Sequence, residues 1–136
     1  MGETTATKLG TTVQLKLDFD AAIAATVEAL KAQGFGVLTE IDVKETVKKK
    51  LGLDFRPYRI LGACNPALSH KALTIAPEIG LLLPCNVVVD QIADGMTQVS
   101  LVDPLGMMSM VEHAGLEAVA NEAAERLSRV AAALAA

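Results

Sequence analysis

From Thr11 to Leu17 polar and apolar residues alternate, with Val13, Leu15 and Leu17 on one side, which is the period of a half-buried strand. At Asp18 the period changes. Phe19, Ile23, Val27 and Leu30 recur at helical steps behind Asp18 as N-cap, and Gly34 supplies the stop. Phe35 to Ile41 returns to a strand pattern. Asp42 with Glu45 three positions on is a capping box, opening a short helix with Val43, Val47 and Leu51 on one side and Gly52 at its end. Lys44, Lys48, Lys49 and Lys50 cover the rest of that helix as a solvated face.

Arg56-Pro57 leads into a third strand, Tyr58 to Cys64. Asn65-Pro66 then pairs a capping side chain with a proline whose missing N–H costs nothing in a first turn. A short helix is expected over Ala67 to Leu73, ended before Pro77 and Gly80. Leu81 to Asp90 reads as a long apolar fourth strand, and Asp94-Gly95 as a hairpin turn into a fifth, Met96 to Val102. Asp103-Pro104 stops that strand. Ser109 with Glu112 reads as a second capping box, before a stripe of Leu116, Val119, Ala120, Ala123, Leu127, Val130 and Leu134 at steps of three and four. Glu122 with Arg126, and Glu125 with Arg129, are i,i+4 pairs in the favourable orientation. A long terminal helix lying across a sheet is the natural use of such a stripe. The hairpin makes part of the sheet antiparallel, which favours α+β over a doubly wound fold.

Composition adjusts this picture only modestly. The 136 residues suit a single domain, residues 1–136, and 51% of them are apolar. With three Phe, one Tyr and no Trp, the core has to be aliphatic. A formal charge of -4 argues against a phosphate-backbone partner, so no nucleic acid is expected. No apolar stretch approaches the ~20 residues that span a bilayer, the first residues carry no apolar signal core, and Ala6 breaks the myristoylation pattern. No membrane role is expected. The two cysteines are expected to be reduced thiols in a cytoplasmic protein.

Those two cysteines carry the candidate chemistry. Each is followed by asparagine and has a proline within two positions: Cys64-Asn65-Pro66 and Pro84-Cys85-Asn86. A nucleophilic thiol needs a base and a lowered pKa, and neither His70 nor His113 is spaced beside a cysteine. A structural zinc site needs about four ligands in close pairs, which are absent. The plainer reading is that free cysteines are small buried hydrophobes, although the shared Asn and Pro context weighs against it for the pair. Asn65 has a sufficient task as a cap. Asn86 interrupts an apolar run, so its amide reaches a backbone partner or lines a pocket, and Pro84 beside it suggests an edge, a bulge or a break in the ladder.

Other constellations carry less. Met107, Met108, Met110 and His113 raise a copper(I) site, but a helix starting near Met110 scatters them, and methionines beside a loop more often fill a core gap or a subunit contact. Gly34-Phe35-Gly36 ends a helix instead of opening one, so it fails as a phosphate loop. Asp90, Asp94 and Asp103 flank strands as turn formers.

Three segments together resemble domain-of-unknown-function family 302: the run from Gly34 to Val43, the run from Tyr58 through Cys64-Asn65-Pro66, and Gly80 to Val87 with its Leu83-Pro84-Cys85-Asn86. The resemblance covers nearly the whole chain, with the two Cys-Asn segments its most specific part. It implies a fold similar in outline to one half of the TATA-binding protein: strand, helix, four strands, helix. It also implies dimers and no assigned activity, and fold is not function.

The expected architecture is therefore α+β, a mostly antiparallel sheet with two main helices on one face and short helical inserts. The expected function is a small homodimeric module that binds a small molecule at Cys64, Asn65, Pro66, Pro84, Cys85 and Asn86, with no cofactor and no metal. Two alternatives stand beside it: a thiol-dependent enzyme or redox or metal sensor built on Cys64 and Cys85, and a purely structural interaction domain. Cys64 and Cys85 are expected on neighbouring strands in one microenvironment. Asn86→Leu is expected to disturb a pocket more than it disturbs folding.

Overall fold

A computed structural model describes Gly2–Ala136. Its strands are β1 (Glu3–Ala6), β2 (Gly10–Leu15), β3 (Gly36–Asp42), β4 (Tyr58–Cys64), β5 (Cys85–Ala93) and β6 (Met96–Val102). Its helices are α1 (Phe19–Ala32), α2 (Val43–Leu51), α3 (Pro66–Ile75), α4 (Pro104–Met108) and α5 (Ala114–Ala135), with a 3-10 segment at Pro77–Leu82. The strands form one antiparallel sheet in the order β1-β2-β6-β5-β4-β3. Helices α1 and α5 pack on each other and on the sheet. The α+β outline of strand, helix, four strands and helix is present as β2, α1, β3 to β6 and α5.

Local chemistry explains most boundaries. Asp18 accepts from the Ala21 N–H at 2.8 Å, and Asp42 accepts from the Glu45 N–H at 2.9 Å, each satisfying an orphan donor of a first turn. Gly52 closes α2 at φ 68°, a left-handed position that glycine adopts without a Cβ penalty. None of α2 is fully buried, so its lysines do form a solvated face.

The core divides into two clusters. In the first, Val13, Leu61, Val87, Val89, Val99 and Leu101 of the sheet meet Leu30 of α1 and Leu127, Val130 and Leu134 of α5. In the second, Leu68 and Ala72 of α3, Ile79 and Met108 meet Leu116, Val119, Ala120 and Ala123 of α5. The α5 stripe is buried at every expected position and serves both clusters.

Four expectations need correcting. The strand expected over Leu81 to Asp90 begins at Cys85 and continues to Ala93. Leu81 and Leu82 belong to the 3-10 turn, Leu81 is 80% exposed, and Pro84, after a cis peptide bond, has no N–H to give a ladder. The capping box at Ser109 and Glu112 does not form. Asp103-Pro104 starts a helix of its own, capped by the Leu105 N–H donating to Asp103 Oδ1 at 3.0 Å. Ser109 Oγ then donates back to the Gly106 carbonyl at 2.7 Å, and α5 begins later, with His113 Nδ1 accepting from the Gly115 N–H at 3.0 Å. Arg129 pairs not with Glu125 but with Gln33 Oε1 at 2.8 Å, while Arg126 holds Glu122 and the Gln33 carbonyl, so both arginines clamp the end of α1. Strand β1 was not foreseen; Glu3-Thr4-Thr5-Ala6 lacks apolar alternation and pairs with β2 as an exposed edge.

Candidate functional site

Strands β4 and β5 are hydrogen-bonded neighbours, and Cys85 stands opposite Ala63, one residue from Cys64. Both thiols are free. They line one small void at the seam of the two core clusters, with Phe35, Ser69, Met108 and Val119 among its walls. Cys64 Sγ lies 3.0 Å from Ser69 Oγ, across the first turn of α3. Asn65 is buried, and its Oδ1 accepts from the Leu68 N–H at 3.2 Å, the capping role its place before Pro66 indicates. Pro66 itself is exposed in the first turn of α3.

Two properties limit what this corner can do. The void holds about 20 Å³, room for one water-sized particle and far below the ~300 Å³ at which organic-ligand pockets begin. Burial first, and the neighbouring Cys64 second, push the Cys85 thiol up to about 11, so at neutral pH it stays protonated and is a poor nucleophile. His70 is exposed on α3 and lines a separate groove beside Lys71 and Glu122, so it supplies no base here.

Asn86 is elsewhere. Side chains alternate along β5, so Cys85, Val87 and Val89 are buried beneath the helices while Asn86 is exposed on the other face. There it stands opposite Gly62, where a Cβ would run into Thr39 Oγ1 and come within 2.8 Å of Pro84 Cγ. Pro84 therefore packs against the backbone of β4 next to Asn86. The strand is not covered on both faces, which is why a polar amide is tolerated in an apolar run. Asn86 lines a trough of about 620 Å³ with Lys8, Leu9, Thr12, Val88 and Ser100. The turn between β1 and β2 forms one wall, pinned by the Thr7 hydroxyl donating to the Gly10 carbonyl at 3.1 Å. The six expected site residues are thus divided between two faces of one sheet.

The family model for the domain of unknown function DUF302 matches residues 11–134. The chain belongs to the DUF302 family. This DUF302 chain is also similar to the crystal structure of an uncharacterized conserved DUF302 protein from Bacillus stearothermophilus, at 32% identity and a TM-score of 0.81, over 90% of this chain and 95% of that one. No curated protein matches it. The matched range begins at Thr11, inside β2, so the Thr7–Gly10 turn that walls the trough lies outside it.

Sequence reasoning missed several residues of both sites in this DUF302 chain. Ser69 was within reach, since a residue five positions after a strand-end cysteine, across a capped first turn, comes back beside it. Thr12 and Ser100 had no signal of their own, because the register of β2 with β6 and β6 with β5 brings them beside Asn86, and Lys8 reaches the trough from the turn before β2.

Proposed function

We propose that this protein is a small-ligand-binding module whose ligand lies in the open-face trough beside Asn86. The observation that carries the reading is the make-up of the trough: Val88 of β5 and Leu9 of the turn bring apolar side chains to it, and Asn86, Thr12, Ser100 and Lys8 bring polar ones. A volume of about 620 Å³ falls in the ~300–1,000 Å³ range of small-molecule sites. A lining that mixes apolar side chains, an amide, hydroxyls and one lysine suits a ligand with a hydrocarbon body and one anionic end. Small carboxylic acids are the class to try. Cytoplasmic residence is part of the proposal, supported by two unpaired thiols.

The same proposal includes a homodimer. Strand β3 is a free sheet edge with Leu38 and Ile41 exposed, and Leu51 and Leu53 are exposed in and just after α2, which packs on it. Antiparallel pairing of two identical edge strands is self-complementary about a two-fold axis. The trough lies towards the opposite edge of the sheet and stays open in such a dimer. Saturation-transfer NMR against a panel of small aliphatic and aromatic carboxylates tests the site. Binding that disappears in Asn86→Leu and weakens in Lys8→Ala is expected; binding indifferent to both variants overturns the trough. Light scattering tests the dimer, with Leu38→Lys expected to give monomers; a monomeric parent chain overturns it.

A further inference from the structure

The seam void has a feature that neither its size nor the trough explains: three of its walls are sulfur residues. Cys64 reaches it from the end of β4, Cys85 from the start of β5 and Met108 from α4. Met108 and Cys85 are buried and Cys64 is half-buried. We propose that this void is a binding site for a single soft monovalent metal ion, copper(I), held by Cys64, Cys85 and Met108. A thiol, thiol and thioether set is the donor chemistry that selects copper(I). The competing ions are poorly served, because no group of three His, Cys, Asp or Glu among the described residues could hold a metal. Zinc would lack two of its four usual ligands, and oxygen-seeking ions would find no carboxylate in the walls. The volume agrees: about 20 Å³ admits one particle of water size or smaller and no organic cofactor.

The step balances without an oxidant. The two sulfurs bind as thiolates, their two protons leave to solvent, the Met108 thioether donates a lone pair and no electron is transferred. One copper(I) and two thiolates leave a single negative charge. Helix α3 begins directly after Cys64 behind the Asn65 cap, so its positive end lies against that charge. Ser69 Oγ, at 3.0 Å from Cys64 Sγ, can donate to the thiolate and hold its rotamer, as supporting groups around metal ligands do.

Anaerobic titration of the reduced full chain with copper(I), in competition with a chromophoric copper(I) chelator, tests the site. One ion per chain is expected, with a rise in melting temperature as it binds. Cys64→Ala and Cys85→Ala should each weaken binding by more than the roughly tenfold to hundredfold that losing a mere supporting group costs. Met108→Leu, which keeps the volume of the side chain, should weaken it while leaving the metal-free melting temperature unchanged. Substoichiometric binding, or binding that survives either cysteine variant, overturns the proposal. A Met108→Leu chain that is folded and binds copper(I) as the parent does also overturns it. The Asn86→Leu variant should bind copper(I) normally, which separates failure of this site from failure of the trough.

Discussion

Cys85 and Asn86 are adjacent in the chain and belong to different environments. Cys85 is held under the helices at the junction of two core clusters, in a void that admits one small particle. Asn86 stands on the uncovered side of the sheet above a trough some thirty times larger by the quoted volumes of about 20 and 620 Å³. The earlier Cys64-Asn65 divides differently, because β4 ends there and α3 begins; both residues turn towards the helical side, one to Ser69 and one to the Leu68 N–H. Identical dipeptides thus do unlike work. A strand sends successive side chains to opposite faces, whereas a strand-to-helix junction gathers them.

The sharpest way to break this contrast is to cut both faces at neighbouring positions of β4. Leu61 is fully buried on the helical side, and Ile60 is half-buried on the open one. Leu61→Ala should cost about 2–5 kcal/mol through lost burial and a residual cavity. Ile60→Ala should cost about 1 kcal/mol, because much of its side chain already meets water. Equal losses in urea melts would mean that the open face is covered by something.

Alkali comes next in size. The Cys85 thiol titrates at about 11 against an ordinary 9.0, so above pH 9 the unfolded chain gives up a proton that the folded chain keeps. The stabilisation this represents is complete below pH 9 and disappears as pH climbs towards 11, a loss of order 2 kcal/mol in the metal-free chain. Cys85→Ala should flatten that part of the stability–pH curve; an unchanged slope would mean that the thiol is open to water.

A smaller effect is expected at the two asparagines. Asn65→Ala removes a buried cap and should cost about 1 kcal/mol. Asn86→Leu should lie within about 0.5 kcal/mol of the parent, as exposed substitutions do. A melting temperature that falls further for Asn86→Leu would make its amide structural and count against the trough.

What could be read in the chain was whatever local rules govern. Asp18, Asp42 and Asn65 cap the helices they were expected to cap; Asp94-Gly95 turns the hairpin; the α5 stripe is buried throughout. Failures came where two local signals competed. Pro104 opened a short helix that ends at Ser109, so the long helix starts later, at His113, and Pro77 drew Leu81 and Leu82 into a 3-10 turn before β5 could start. The Cys-Asn segments were conspicuous in the sequence, yet their separation onto two faces depends on which side of β5 the helices cover. That is a long-range fact, like the register that brings Thr12 and Ser100 to Asn86.

Helix α5 is a single rod shared by two sub-cores, its first half against α3 and α4 and its second half against the sheet. Such an arrangement lets one lobe open while the other holds. Hydrogen exchange is expected to find strands β4 to β6 and the C-terminal turns of α5 as the slow unit, and α3, α4 and the first turns of α5, packed in the smaller cluster, opening at lower free energy. Because the sulfur-lined void sits on the boundary between these units, an opening of the smaller lobe alone is expected to uncover Cys85 while the sheet remains intact. Alkylation of that thiol then becomes a clock for the motion of the lobe, and any ion seated there is a latch that slows it.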